Sequence, residues 1–360
     1  MLAIEPAAPA SLPITAESNR SDPVGSTVPR IVEPQAEPAG LSLIDEFSAL
    51  VAKGADELPL PGGGRTLDRW RSLAGVAARS LALVKWFEGH TDAIAIQTEL
   101  GGPLPPSNSR WGTWCAEPPG ARVELTRDLR SGDGAVRLNG TKAWCSGALA
   151  VTHAVVSCWN EAGEPCLATV AMQDPAVRVV DSGWNAVGMA ATESLDVRFD
   201  DAPARILGGP GDYVRRPGFW QGGAGIAACW YGGAEGIAEA ARRVARGRND
   251  PHLMAHLGAI DVALAGAAAA LREAAEWIDR HPHADARIPA LRARSVVEAA
   301  AIEVMHHAGR AVGAGPLCRD ARLAQAMADL PVFLRQSHAE RDLASLGAAL
   351  SEQMEAPWKL

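Results

Sequence analysis

The sequence is bounded first by what it does not carry. No basic stripe stands out: 34 Lys and Arg face 42 Asp and Glu, a formal net charge of −8. Polyanions need clustered cations, so nucleic acid and membrane surfaces are not expected partners. No apolar run reaches the roughly 18 residues that span a bilayer. The longest, Val262 to Leu271, follows directly on Asp261. The opening MLAIEPAAPASLP contains Glu5 and no cationic segment, so no secretory signal is expected. Six cysteines are scattered with no C-x-x-C among them, which argues against a disulfide framework or a zinc ribbon. The expected setting is a reducing cytoplasm, with no metal site. P-loop, H-E-x-x-H and G-x-S-x-G motifs are all missing. Gly223, Gly225 and Ala228 match G-x-G-x-x-A, but no strand precedes them, as a dinucleotide fingerprint requires. Their small side chains are read instead as permitting close helix packing.

What is present is enough apolar residue, 48% of 360, for a sizeable core and more than one domain. Residues 1–40 are rich in Pro, Ala, Ser and Glu. They cannot bury enough surface to offset their ordering entropy, so disorder is expected there. Residues 41–110 form a short helical part. Leu43, Ile44, Phe47, Leu50 and Val51 recur at helical spacing, a second helix is expected from about 67 to 90 and a third from 91 to 100. Residues 111–218 change period. A hairpin around Ser131-Gly132-Asp133-Gly134 precedes strands at about 152–159, 166–172, 176–180 and 195–199. No helices separate them, which predicts an antiparallel sheet or small barrel and not a βαβ nucleotide fold. Residues 219–360 return to helical spacing, with Leu257, Ile260, Leu264, Ala267, Leu271, Ala274 and Ile278 on one stripe. Pro-containing links at 249–251 and 281–283 make this an antiparallel bundle. The fold class is therefore α+β: N-terminal helices, a central antiparallel β domain and a C-terminal antiparallel helical bundle.

One stretch, RLNGTKAWCSGA from Arg137 to Ala148, asks for an explanation beyond packing. A polar Asn139-Gly140-Thr141-Lys142 turn leads to Trp144, then to the small residues Cys145, Ser146 and Gly147. Trp144 is either β-domain core or the wall of a site that something approaches closely.

Four segments in order decide between these. They are WCAEPPG (114–120), LNGTKAWCSGA (138–148), GMAATESLDVRFDDAPA (188–204) followed by ILG, and CRDAR (318–322). From about Trp111 to Leu350 the chain resembles the acyl-CoA dehydrogenase family, with a shortened N-terminal part. That resemblance implies an FAD flavoprotein assembled as a homodimer or homotetramer. Its W-x-[ST] segment implies that Trp144 packs on the isoalloxazine. Ser146 would donate its hydroxyl and backbone N–H to the flavin N5/O4 edge, and Cys115 and Ala116 would offer backbone groups at the pyrimidine side. His306 stands at the family's Gln, as a phosphate or ribose partner. It could equally be one of a pair of histidines on a helix face.

The implied reaction is α,β-dehydrogenation of an acyl-CoA or similar acyl thioester. It needs a carboxylate base in a dry pocket. The family position, six beyond R-D-A-R, falls on Ala328. Asp329 beside it is the candidate base, or the N-cap of a helix starting near Pro331. Glu235 on an earlier helix, and His338 and Glu340, are further options. Two other readings stay open: a same-fold flavin monooxygenase, which needs no such base, and a non-catalytic relative.

Overall fold

The computed structural model describes residues 42–128, 130–180, 183–355 and 357–358. The disorder expected for 1–40 lies outside them. Three helices come first: α1 (Leu43–Ala52), α2 (Thr66–Ala77) and α3 (Leu81–Glu99). Ser42 caps α1 through a capping box with Asp45. The single helix expected over 67–90 is corrected: the chain turns at residues 78–80, where the Ser80 hydroxyl accepts from the Leu83 N–H at 3.1 Å and starts α3. From there α3 runs unbroken to Glu99. It is buried nearly all round because it packs on α1, α2 and later elements of both the sheet and the bundle. Such all-round burial is what an amphipathic-period search passes over.

Seven strands follow: β1 (Trp111–Trp114), β2 (Val123–Arg127), β3 (Ala135–Cys145), β4 (His153–Trp159), β5 (Pro165–Ala171), β6 (Val177–Val180) and β7 (Leu195–Leu207). Antiparallel pairs β2–β3, β3–β7, β7–β5 and β5–β4 run round the sheet. β4 then meets β2 at Trp159 and Glu124, which closes the ring. The expectation of a purely antiparallel domain is corrected at this closure, because β1 and β2 both pair with β4 in parallel. The supposed turn at Asn139-Gly140 lies inside β3. A Cβ on Gly140 would stand 2.2 Å from the Arg122 carbonyl oxygen. Only glycine lets β3 pass this close to the chain entering β2, and on its other side β3 shifts register against β7 between Leu138 and Gly140.

The remainder is helical: α4 (Asp212–Arg215), α5 (Gly218–Ala245), α6 (Pro251–Arg280), α7 (Arg287–Val312), α8 (Ala314–Arg319), α9 (Ala321–Phe333) and α10 (Glu340–Ser351). α5, α6 and α7 pack on one another, and α5 also lies against α2. The apolar stripe of α6 turns inward: Ile260, Ala267, Leu271, Ala274 and Ile278 are buried. It is therefore spent within the chain. The opposite face of α6 stays exposed, with Ala255, Gly258, Val262, Ala265, Gly266 and Ala269. By length and composition α6 is apolar enough to cross a membrane, which no uninterrupted apolar run had suggested. Its packing against α5 and α7 is that of a bundle helix.

The close helix packing read at Gly223, Gly225 and Ala228 is found farther along α5, at Gly232 and Gly236. A Cβ on Gly232 would lie 2.2 Å from the Ala74 carbonyl oxygen, and one on Gly236 2.7 Å from that of Ala78. The α2–α5 contact is thus backbone on backbone. Gly232→Ala should destabilise the fold by about 1–3 kcal/mol through overpacking. At Gly223 a Cβ meets nothing within 4 Å. Gly223→Ala should be neutral, or stabilising by up to about 1 kcal/mol. Denaturant midpoints check the pair, and equal midpoints would show that α2 and α5 do not touch there.

Candidate functional site

Two of the three segments that carry the resemblance in the β domain are tied by an ion pair whose cation is fully buried. Lys142, on β3, has a fully buried side chain, and its Nζ meets the Glu117 carboxylate and, at 2.6 Å, Ser157 Oγ on β4. Ser157 Oγ also donates to Glu117, and Trp159 Nε1 donates to its other oxygen at 3.2 Å. Burial opposes the Glu117 charge, but the hydrogen bonds from Lys142, Ser157 and Trp159 outweigh it. They hold this carboxyl below the usual glutamate range. The loop after β1 is thereby fixed across β3 and β4.

That loop borders an open depression of about 430 Å³, within the range of small-molecule sites. Pro118 to Ala121 form one rim, Trp144 and Trp184 stand at it, and Ser194 and Asp196 come from the start of β7. Trp144 is 60% exposed, so the reading of it as core is corrected. Its φ is +59°, a left-handed conformation that costs a non-glycine residue of order 1–3 kcal/mol. The register shift between Lys142 and Cys145 against β7 holds it there and turns the indole outward. Gly147 follows at φ +69°, where a Cβ would press on the Trp86 indole at 2.9 Å. Trp184 and Asp196 were not singled out from sequence. Trp184 is anchored by its Nε1–H, which donates to the Ala190 carbonyl at 3.0 Å.

Ser146 sits beside this rim, half-buried. Its carbonyl accepts from Trp114 Nε1 at 3.2 Å, and its Oγ lies 2.7 Å from Ser194 Oγ. Its N–H bonds back to the Trp144 carbonyl at 3.1 Å. The expectation that this N–H is free for a ligand is therefore corrected.

The other predicted residues are placed elsewhere. The Cys115 thiol turns inward to Tyr213, and burial pushes it up to about 11. Ala116 is half-buried between Cys115 and the Glu117 ion pair. The rim of the depression begins only at Pro118. His306 is exposed on α7, which packs on α5, α6, α8 and α10. Within one chain it is not brought to Trp144 and Ser146. It is paired as a histidine neighbour instead, edge-on to His307, whose Nδ1 is 2.9 Å from that of His256. Glu235 is exposed on α5, where burial and the nearby Glu239 raise its pKa.

Asp329 lies within α9, four residues before its end, so it caps no helix at Pro331, which α9 includes. Its buried carboxylate accepts from the Met189 N–H and, at 2.7 Å, from Gln325 Nε2. Burial raises its pKa, and those two hydrogen bonds offset this only in part. Ala328, in the family register of the base, lies under Gly188, where a Cβ would stand 2.0 Å from the Ala328 carbonyl oxygen. Asp329 thus clamps the segment before β7 onto α9. Asp329→Ala should cost about 1–3 kcal/mol by orphaning the buried Met189 N–H. Asp329→Asn keeps an acceptor and removes the buried charge, so its stability at neutral pH should match or exceed wild type. Because the folded pKa is raised, wild type gains stability as pH falls through that pKa toward the ordinary 3.8. The gap between the two should close over that window in pH-dependent unfolding. A gap constant with pH would show that Asp329 does not titrate there.

No family model matches the chain. Amino sugar nitrososynthase DnmZ of Streptomyces peucetius is 40% identical over 125 residues, 32% of this chain and 30% of that protein. The matched stretch thus spans under a third of that relative's length. Among solved structures, dibenzothiophene monooxygenase TdsC from Paenibacillus sp. A11-2, with FMN and indole, superposes with a TM-score of 0.71 at 19% identity. The match covers 88% of this chain and 97% of TdsC. Butyryl-CoA dehydrogenase of Megasphaera elsdenii gives 0.73 at 16% identity, over 85% of this chain and 89% of its own. The helices, closed sheet and bundle of this chain form an acyl-CoA dehydrogenase-like fold in a divergent version.

Proposed function

We propose that this protein is a flavin-dependent monooxygenase acting on a small organic molecule. The observation that carries the reading is the fate of the base. Ala328 occupies its register, and Asp329 next to it is turned into the Met189 clamp. An α-proton abstraction needs a carboxylate free to reach the substrate, whereas oxygen transfer from a reduced flavin needs none. The likeness to TdsC and the stretch shared with a nitrososynthase support the same choice.

The residues at the depression fit an isoalloxazine. Trp144 and Trp184 offer indoles to a flat ring system, while Gly120 and Gly183 leave its edges unobstructed. A bound reduced flavin supplies the two electrons that dioxygen activation requires. Trp144 would pack against it, Ser194 and the neighbouring Ser146 would meet its polar edge, and Pro118–Ala121 would border it. FMN is favoured over the FAD implied by the resemblance, because FMN is the flavin bound by TdsC and the Phe-Gly of the family's R-x-x-F-G is missing from RGRNDPHLMAHLG.

The exposed small-residue face of α6, continued on α7 by Val296, Ala299 and Ile302, suits packing against a second copy. We place a homodimer there, in the cytoplasm. His306, one turn beyond Ile302, would then face the neighbouring subunit.

Four measurements test these points. Purified protein should bind FMN, and Trp144→Ala should weaken it by roughly 1–3 kcal/mol. Supplied with reduced flavin and air, the enzyme should oxygenate members of a panel of amino sugars and aromatic heterocycles. Under anaerobic conditions a panel of acyl-CoAs should leave bound oxidised flavin unbleached. Bleaching would restore the dehydrogenase reading, and a protein that retains no flavin would leave the non-catalytic one. Sedimentation at micromolar concentration should show a dimer, and a monomer would remove the α6 face as an interface.

A further inference from the structure

Behind the depression three hydroxyls stand in series. Thr192 Oγ1 is 2.8 Å from the Met189 carbonyl oxygen and 3.0 Å from Ser194 Oγ, which is 2.7 Å from Ser146 Oγ. A hydroxyl has one proton and two lone pairs. A carbonyl oxygen can only accept, so the Thr192 proton must lie toward Met189. Turning it away would leave two oxygens facing each other at 2.8 Å with no hydrogen between them. Thr192 can then only accept from Ser194. Ser194, its proton committed, can only accept from Ser146. The direction of the first bond is thus passed to the last, and the Ser146 proton points away from any ligand. With its N–H also taken by the Trp144 carbonyl, Ser146 offers lone pairs alone. This reverses the donor role that the sequence implied for it.

Thr192 and Ser194 are buried. Thr192 is held further by its carbonyl, which accepts from Trp86 Nε1 at 3.0 Å and from the Gly147 N–H at 2.9 Å. The chain is therefore built into the core at Thr192, while Ser194 lines the depression and Ser146 is half-buried two residues past Trp144.

The flavin N5 is a hydrogen-bond acceptor when oxidised and carries a hydrogen when reduced by two electrons. We propose that the Thr192–Ser194–Ser146 chain makes the site select reduced over oxidised flavin, by presenting an acceptor at the isoalloxazine edge. The inference rests on the flavin reading above. Thr192 and Ser194 act as positioning residues, and the reduced flavin is treated by the protein as an incoming ligand.

The experiment is anaerobic titration of the full-length protein with FMN, oxidised and chemically reduced, read by fluorescence or calorimetry. Wild type should bind the reduced form about tenfold or more tightly, the worth of one hydrogen bond gained against one refused. The midpoint potential of bound FMN should accordingly lie above that of free FMN. Thr192→Val keeps the shape and frees the chain to reverse. It should narrow the preference to about threefold or less, mainly by tighter binding of oxidised FMN. Ser146→Ala, at a half-buried position that does not threaten folding, should narrow it from the other side, by weaker binding of reduced FMN. Equal wild-type affinities, or a preference unchanged in both variants, would overturn the proposal while leaving the flavin site intact. Binding of neither form would overturn the flavin reading and this inference with it.

Discussion

The β domain depends on one ion pair whose cation is fully desolvated. Lys142 is enclosed completely, a position that a cation occupies only when its charge is met and its donors are used. Glu117 and Ser157 do both. The consequence is geometric. A loop that follows a four-residue strand would otherwise be free to move, yet it is held against the middle of β3. The rim of the depression, Pro118 to Ala121, is the continuation of that held loop, and Trp144 is two residues past the lysine. The ion pair thus sets the distance between the two sides of the site. Its energetic return is modest in principle, because desolvation consumes most of the Coulombic gain. What it fixes is register.

The strain at Trp144 follows from the same constraint. Lys142 must point inward and Cys145 must return to its place opposite Leu195. The register shift between them leaves one residue over, and that residue takes a left-handed φ. A residue chosen for packing alone would be glycine or asparagine at that point. An exposed tryptophan there marks a position where the ring is wanted outside, which is the inference from strain to site that a backbone outlier permits.

The sequence showed these features unevenly, for physical reasons. What could be read in place was local: the singling out of Trp144 in LNGTKAWCSGA and the change of period at either end of the β domain, whereas Lys142, read as part of a polar turn, is buried in β3. Helix α3 was misjudged because a helix buried on every side shows no moment, so its boundary at Ser80 had no amphipathic signal to support it. The parallel pairings of β4 with β1 and β2 join strands about 35 to 42 residues apart in sequence, and alternation within a strand says nothing about its neighbour's direction. Ser146 was recognised by its neighbours in the motif, but its hydrogen-bond polarity depends on Thr192 and Ser194 beyond the next hairpin. Asp329 was found by counting, which gives position along a helix and not the direction of a side chain.

Asp329 and Ser146 meet at one residue. Met189, buried and itself at φ +59°, gives its N–H to Asp329 and accepts the Thr192 hydroxyl proton at its carbonyl. Asp329, the candidate base of the dehydrogenase reading, here holds the peptide on one side of Met189. The carbonyl of the next peptide, on the other side of the Met189 Cα, sets the direction of the three hydroxyls ending at Ser146. The clamp therefore bears on two things together. It leaves the Asp329 carboxylate engaged by Met189 and Gln325, and in the flavin reading proposed above it would go with an acceptor at the edge where an oxidised flavin needs a donor. A dehydrogenase must bind the oxidised cofactor before its substrate reacts, so both act against that chemistry. Both are compatible with an enzyme that takes up flavin already reduced. The two features need not have separate explanations, because the two peptides that flank one buried residue, Met189, carry both.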